Sequence, residues 1–110
     1  MQKKKVQQAE YTLNLKRLEV TNKIKSYFND LINLQAQNRL TADMLFNYRR
    51  LLVGEEQRFR AGESSLFVVN ARENKVIETE LKLLETQMKF FKTDAALRWT
   101  AGTLYSAYAK

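Results

Sequence analysis

Apolar side chains recur at alternating intervals of four and three residues through the first sixty residues, and this spacing leaves few folds open to the chain. Eleven of the sixteen positions in the series are apolar or aromatic. The series is Val6, Glu10, Leu13, Arg17, Val20, Ile24, Tyr27, Leu31, Leu34, Asn38, Thr41, Leu45, Tyr48, Leu52, Glu55 and Phe59. A heptad spacing held this long is typical of a coiled-coil helix. It predicts an all-α chain with a first helix over residues 3–60, roughly 85 Å long at about 1.5 Å per residue.

The composition also favours long helices. The 110 residues include three glycines and no proline, so little interrupts a helix, and good helix formers dominate. Two glycines fall inside predicted helices. We expect Gly54 to permit a bend or a close approach, and Gly102 to mark the start of unwinding in the second helix.

The heptad spacing breaks once, at a glycine that two serines closely follow. Gly62 suits the left-handed residue that follows a helix C-terminus. Ser64 or Ser65 then offers a hydroxyl that caps the free amides of the next helix. The sequence therefore predicts a long antiparallel coiled-coil hairpin with a tip turn at 61–64 and a second helix at 65–108.

The second helix carries two apolar stripes, each at heptad spacing. The Phe67 stripe comprises Phe67, Asn70, Asn74, Ile77, Leu81, Leu84, Met88, Phe91 and Ala95, and the Val69 stripe comprises Val69, Val76, Leu83, Phe90, Leu97 and Leu104. Together they form an apolar face wider than one antiparallel partner covers. We therefore expect residues 1–110 to form a single region that packs against further helices, and the isolated hairpin to associate with itself.

The residue types that most catalytic sites need are missing. The chain has no cysteine and no histidine, which removes thiolate ligands, disulfides and the usual general base. Its carboxylates are interpreted as single surface charges or as adjacent pairs such as Glu55 and Glu56, whose side chains point about 100° apart on a helix. We expect no enzymatic activity, no cofactor and no metal site.

The formal net charge of +7 lies mainly in the first half of the chain. Residues 1–61 contain 12 Lys or Arg against 6 Asp or Glu, whereas residues 62–110 contain 7 against 6. The favoured interpretation is a solvated basic helix face with no nucleic-acid partner. A basic coiled-coil arm that binds nucleic acid in a salt-dependent way and a purely structural coiled-coil spacer are the alternative functions.

Residues 58–73, RFRAGESSLFVVNARE, resemble the periplasmic tip of the TolC family of outer membrane efflux proteins. In that family an Arg-aromatic-x-x-Gly-x-x-Ser turn leads into an apolar run and a helical turn that contains Asn or Asp. Residues 99–104, WTAGTL, are similar to the family's closing segment, and Ala9 and Glu10 match the start of its long helix. The likeness covers nearly the whole chain, but only the sixteen residues around Gly62 are specific.

The resemblance implies an architecture larger than this chain. Members of the family are trimers in which each protomer contributes two helix pairs to a twelve-helix periplasmic barrel, below a twelve-stranded barrel in the outer membrane. This chain resembles the second helix pair alone. The resemblance therefore implies a fragment of a trimeric α-helical barrel, without the β-barrel strands, the first helix pair and the signal peptide.

The resemblance also implies a transport function. Members of the family form passive ducts that carry drugs, metal ions, dyes or polypeptides out of Gram-negative cells. Their partners are a periplasmic adaptor protein and an inner-membrane pump that supplies the energy. This chain would then belong to a protein of the cell outer membrane and would itself lie in the periplasm.

Carried onto this sequence, the resemblance assigns roles to residues around the turn. Gly62 holds the turn, the two serines cap it, and its neighbours flank a groove for the adaptor. The implied adaptor-binding tip is Arg58, Phe59, Gly62, Glu63, Ser64, Ser65 and Leu66. Some members line the closed end of the duct with aspartates just after this turn, where this chain has no carboxylate before Glu73. The gate or pore-lining positions implied here are therefore Asn70 and Glu73.

Overall fold

The computed structural model describes residues 2–109, together with the side chains of residues 3–106. Two α-helices account for nearly all of this range: α1 covers Gln2–Arg60 and α2 covers Leu66–Ala109. No β-strand occurs among the described residues. The prediction of an all-α fold built from two long helices in a hairpin is confirmed. Residues 1 and 110 of the predicted single region lie outside the described residues.

Two local features of α2 differ from expectation. The helix begins at Leu66 rather than at residue 65, because Ser65 caps the helix instead of forming its first turn. The helix also continues without a break past Gly102 to Ala109, so the predicted unwinding at Gly102 is wrong. A single glycine costs a helix only about 1 kcal/mol relative to alanine, which the flanking turns of helix can absorb.

The chain divides into two units, each built from a segment of both helices. One unit is Asn33–Phe90, which contains the end of α1, the turn and the start of α2. In this unit the two segments are antiparallel and pack along a narrow seam. The buried side chains of the seam are Thr41, Leu45, Glu55, Val69, Val76, Thr79 and Thr86. More than half of them are polar, so the seam buries little apolar surface.

Contacts between side chains also join the two segments of this unit. Arg49 Nη2 of α1 lies 2.9 Å from Glu80 Oε1 of α2. The ammonium group of Lys75 lies over the ring of Tyr48, 5.5 Å from its centroid. The hydroxyls of Thr79 and Thr86 donate to carbonyls one turn earlier in α2, so these buried polar groups are satisfied within their own helix.

The other unit is formed by α1 through Ile32 and by α2 from Phe91 onward. On its α1 segment the half-buried side chains are Arg17, Val20, Thr21, Ile24, Tyr27 and Leu31. On its α2 segment Thr100 is buried and Leu97 and Leu104 are half-buried. Trp99 and Tyr105 are largely exposed. Here too the less exposed side chains follow the heptad spacing.

The predicted heptad seam of α1 matches its observed burial over most of the helix. From Arg17 to Glu55, every one of the twelve seam positions is buried or half-buried, which confirms the coiled-coil character of this helix. Val6, Glu10 and Leu13 follow the same spacing but are exposed, as is Phe59 at the other end.

Candidate partner-binding surfaces

The turn between the helices is built around one left-handed glycine. Gly62 has φ of 78°, which is the conformation predicted for it. Its amide donates to the Phe59 carbonyl at 3.0 Å, and the amide of Glu63 donates to the Arg58 carbonyl at 2.8 Å. These two bonds form a Schellman motif, which satisfies carbonyls that the end of α1 would otherwise leave without a partner.

The two serines after the glycine have different roles. The Ser65 hydroxyl accepts from the Val68 amide at 3.4 Å, and the Ser65 carbonyl accepts the first helical bond from Val69 at 3.2 Å, so Ser65 is the N-cap of α2. The prediction that Ser64 or Ser65 caps α2 is thus confirmed for Ser65, whereas Ser64, to which the resemblance also assigned a cap, does not cap the helix. Its hydroxyl instead donates to Glu55 Oε1, because the turn directs it back onto α1.

The carboxylate of Glu55 anchors the turn. Only 7% of this residue is exposed, and Glu55 accepts from Ser64 and lies 3.6 Å from Nη1 of Arg58. Arg58 also donates through Nη2 to the Glu63 carbonyl at 3.4 Å. Glu55 is therefore a buried charge, whereas Glu56, its neighbour in the adjacent pair, is half-buried. The position of Glu55 in the heptad series indicates this burial, because a charged side chain on a seam is buried and requires partners.

The remaining residues of the implied tip are exposed on the turn and on the adjoining ends of the helices. Phe59 is 43% exposed and Leu66 is 58% exposed, and Glu63 is also open to solvent. The tip therefore presents two apolar side chains beside the charged pair of Arg58 and Glu55. The two positions implied for a gate, Asn70 and Glu73, are exposed on α2 beyond the turn and take no part in its hydrogen bonds.

The Val69 stripe is the covered face of α2. Each of its six residues is buried or half-buried, with Val69 at 5% and Val76 at 8% exposure. Between them at heptad spacing lie Thr79, Thr86, Thr93 and Thr100, which neither predicted stripe includes. Apolar and threonine side chains thus alternate along this seam.

The Phe67 stripe is the uncovered face of α2. All nine of its residues are exposed, and Phe67 reaches 82%. At about 100° per residue, the centre of this stripe lies roughly 155° around the helix from the centre of the covered face that the Val69 stripe and the four threonines form together. The α2 helix is therefore bifacial: one apolar face packs within the chain and the other, nearly opposite, faces solvent.

The described part of the chain offers few other sites. No group of three or more acidic, cysteine or histidine side chains that could hold a metal ion occurs among the described residues. Over the same residues, neither helix is both apolar enough and long enough to cross a membrane.

Comparisons of the chain with protein-family models, with curated proteins and with solved structures found no match.

Proposed function

We propose that this chain is a wall segment of an export duct, the second periplasmic helix pair of a TolC-type outer membrane efflux protein. The observation that carries the proposal is the bifacial α2 helix, with one apolar face packed in the hairpin and a second one open along its length. A helix with two such faces belongs between two neighbours. Faces roughly 155° apart suit a gently curved layer, such as the wall of a wide helical barrel.

The weakness of the internal seam supports the same proposal. In Asn33–Phe90 the seam buries only three apolar side chains, and Phe67, Leu81 and Met88 of α2 are exposed. Two helices joined by so little apolar burial gain little stability from each other. A larger assembly that covers the Phe67 stripe would supply the missing burial.

The turn supports an end-on contact with a partner. Its conformation is fixed by Gly62, by the Ser65 cap and by the anchor of Ser64 on Glu55, so it requires little ordering on binding. It presents Phe59 and Leu66 beside charged groups. In the proposed duct this surface receives the periplasmic adaptor, which couples the duct to an inner-membrane pump. The homotrimer, the outer membrane location and the gate positions Asn70 and Glu73 belong to the same proposal.

The test replaces the matching helix pair of a TolC-family protein by residues 1–110 in cells that lack their own duct. We expect the chimera to form trimers in the outer membrane and to restore resistance to an exported antibiotic. Gly62→Val should abolish export, because a β-branched residue at positive φ disrupts the turn. Asn47→Val places the same β-branched residue at an exposed position of α1 outside the seam. It is the control and should retain export.

Two results would contradict the proposal. One is export through the Gly62→Val chimera at the level of the unmodified chimera. The other is a chimera that assembles as trimers in the outer membrane but exports nothing. A purely structural spacer predicts a different pattern, because replacing Phe59 and Leu66 at the tip would then leave export intact.

A further inference from the structure

The outer side of α1 carries an open groove near the turn. It is shallow and open to solvent, and it is lined by Phe46, Arg49, Arg50, Val53, Gly54 and Gln57. These residues follow the spacing of i, i+3, i+4 and i+7, which is the arrangement that receives one side chain of a packed neighbouring helix. Gly54 leaves the floor of the groove open, because a Cβ built there would meet nothing within 4 Å. The expected close approach at Gly54 is thus absent within the described chain.

The charges around this groove are complementary to those around the Phe67 stripe. Arg39 and Arg50 lie on the groove side of α1 together with one acidic residue, Asp43, and the guanidinium of Arg50 lies over the ring of Phe46, 5.8 Å from its centroid. Arg49, at the edge of the groove, pairs with Glu80 of its own chain. From Phe67 to Met88, the positions that flank the stripe carry Glu73, Glu78 and Glu85, besides the paired Glu80, and no basic residue. Lys75 and Lys82 lie nearer the covered seam.

The two surfaces also lie at the same level of the hairpin. Contacts of Tyr48 with Lys75 and of Arg49 with Glu80 set residues 75–80 of α2 level with residues 48–49 of α1. A second copy placed beside the first, with no shift along the helix axis, would bring its Ile77 over the groove of the first. Its Leu81 would lie near Phe46, and its Glu78 near Arg50.

We propose that the Phe67 stripe of one copy packs into the Phe46–Gln57 groove of a second copy of this chain. The contact is head-to-tail, because it joins two different surfaces, and each bound copy leaves one groove and one stripe free for the next. In the proposed duct the first helix pair would cover these surfaces, and in the 110-residue chain a second copy takes its place. The inference depends on the two surfaces and not on export, so its failure and the failure of the proposed function are separate results.

The test measures self-association of the 110-residue chain by sedimentation velocity and native mass spectrometry. We expect wild-type chains to form species larger than a dimer, and the association to weaken as salt rises because the glutamate–arginine contacts are screened. Ile77→Asp places a negative charge in the Phe67 stripe. Gly54→Glu fills the groove and gives it a negative charge. Each should weaken association by about tenfold or more, since a carboxylate is brought into an apolar or acidic contact.

Mixing the two variants distinguishes head-to-tail packing from other modes. The Ile77→Asp chain keeps its groove and the Gly54→Glu chain keeps its stripe, so an equimolar mixture should form a one-to-one complex that stops at two chains. The variants differ in mass, so native mass spectrometry separates this complex from either homodimer. A symmetric stripe-to-stripe contact predicts that the Gly54→Glu chain still dimerises alone and that mixing adds nothing.

Matched controls separate the surfaces from general effects on folding. Leu40→Asp places the same charge at an exposed leucine outside both surfaces, and Asn47→Glu places a glutamate at an exposed position of α1 outside both. Both should associate as the wild type does, and circular dichroism should give equal helicity for all four variants. A monomeric wild-type chain, an unaffected Ile77→Asp or Gly54→Glu chain, or a mixture without a one-to-one complex would each overturn the proposal.

Discussion

At the scale of single residues, the turn depends on a few side chains between Glu55 and Ser65. Gly62 supplies the left-handed conformation, Ser65 caps α2, and Ser64 and Arg58 satisfy the carboxylate of Glu55. Local rules for helix ends predict the glycine and one serine from the sequence. The contact of Ser64 with Glu55 depends on how the turn rotates α2 relative to α1. Local rules for helix ends do not predict that rotation.

Gly62→Ala and Gly102→Ala should change stability in opposite directions. A Cβ at the positive φ of Gly62 costs about 1 kcal/mol or more. At Gly102, inside α2 with open space around it, alanine should stabilise the helix by about 1 kcal/mol. Urea unfolding followed by circular dichroism, at one fixed protein concentration, measures both. Two changes of the same sign would contradict the assigned conformations.

Glu55→Gln should destabilise the hairpin and Glu56→Gln should not. Glu55 is buried and loses charge-assisted contacts with Ser64 and Arg58, at a cost of about 1–2 kcal/mol. Glu56 is its neighbour in sequence and is more exposed, with neither contact. Equal midpoints of unfolding for the two variants would show that the anchor contributes nothing.

At the scale of the elements, the heptad spacing predicts α1 well because one repeat dominates it. Every seam position from Arg17 to Glu55 is buried or half-buried. For α2 the sequence gives two candidate seams of similar spacing, and it does not say which one packs on α1. The Phe67 stripe, with seven apolar side chains and two asparagines, is the uncovered one. The turn decides this, because the Schellman motif and the Ser65 cap fix the rotation at which α2 leaves the tip.

Leu45→Ala should destabilise the chain far more than Leu40→Ala. Both lie on α1, but Leu45 is 6% exposed in the seam whereas Leu40 is exposed. Removing the buried side chain costs about 2 kcal/mol or more, and removing the exposed one costs only a few tenths. Thermal unfolding of the two variants tests the seam directly, and equal losses would contradict it.

Asn38→Leu should stabilise the hairpin. The side-chain oxygen of Asn38 is buried in the seam, and no hydrogen-bond partner for it occurs among the described residues. Leucine removes this desolvated group and adds apolar burial, a gain of about 1 kcal/mol. Asn33→Leu, at an exposed position of α1, is the control and should change little. Destabilisation by Asn38→Leu would mean that the amide has a partner after all.

At the scale of the whole molecule, a chain with one packed and one open apolar face on α2 gains stability by association. The sequence predicts this from the width of the apolar face. The partner surface on α1 was not predictable in the same way, because the groove depends on a missing side chain at Gly54 and on the alignment of Arg49 and Glu80 across the seam. The heptad spacing alone indicates neither the groove at Gly54 nor this alignment of the helices.

The central claim is that neighbouring residues of α2 face different partners, and single-cysteine reporters test it most directly because the chain has no cysteine of its own. Val76→Cys lies in the covered seam and Ile77→Cys on the open stripe. We expect alkylation of the cysteine at 76 to be slow at every protein concentration. Alkylation of the cysteine at 77 should be fast in dilute solution and slow in concentrated solution. Equal rates at the two positions, or a rate at 77 that does not change with concentration, would contradict the account.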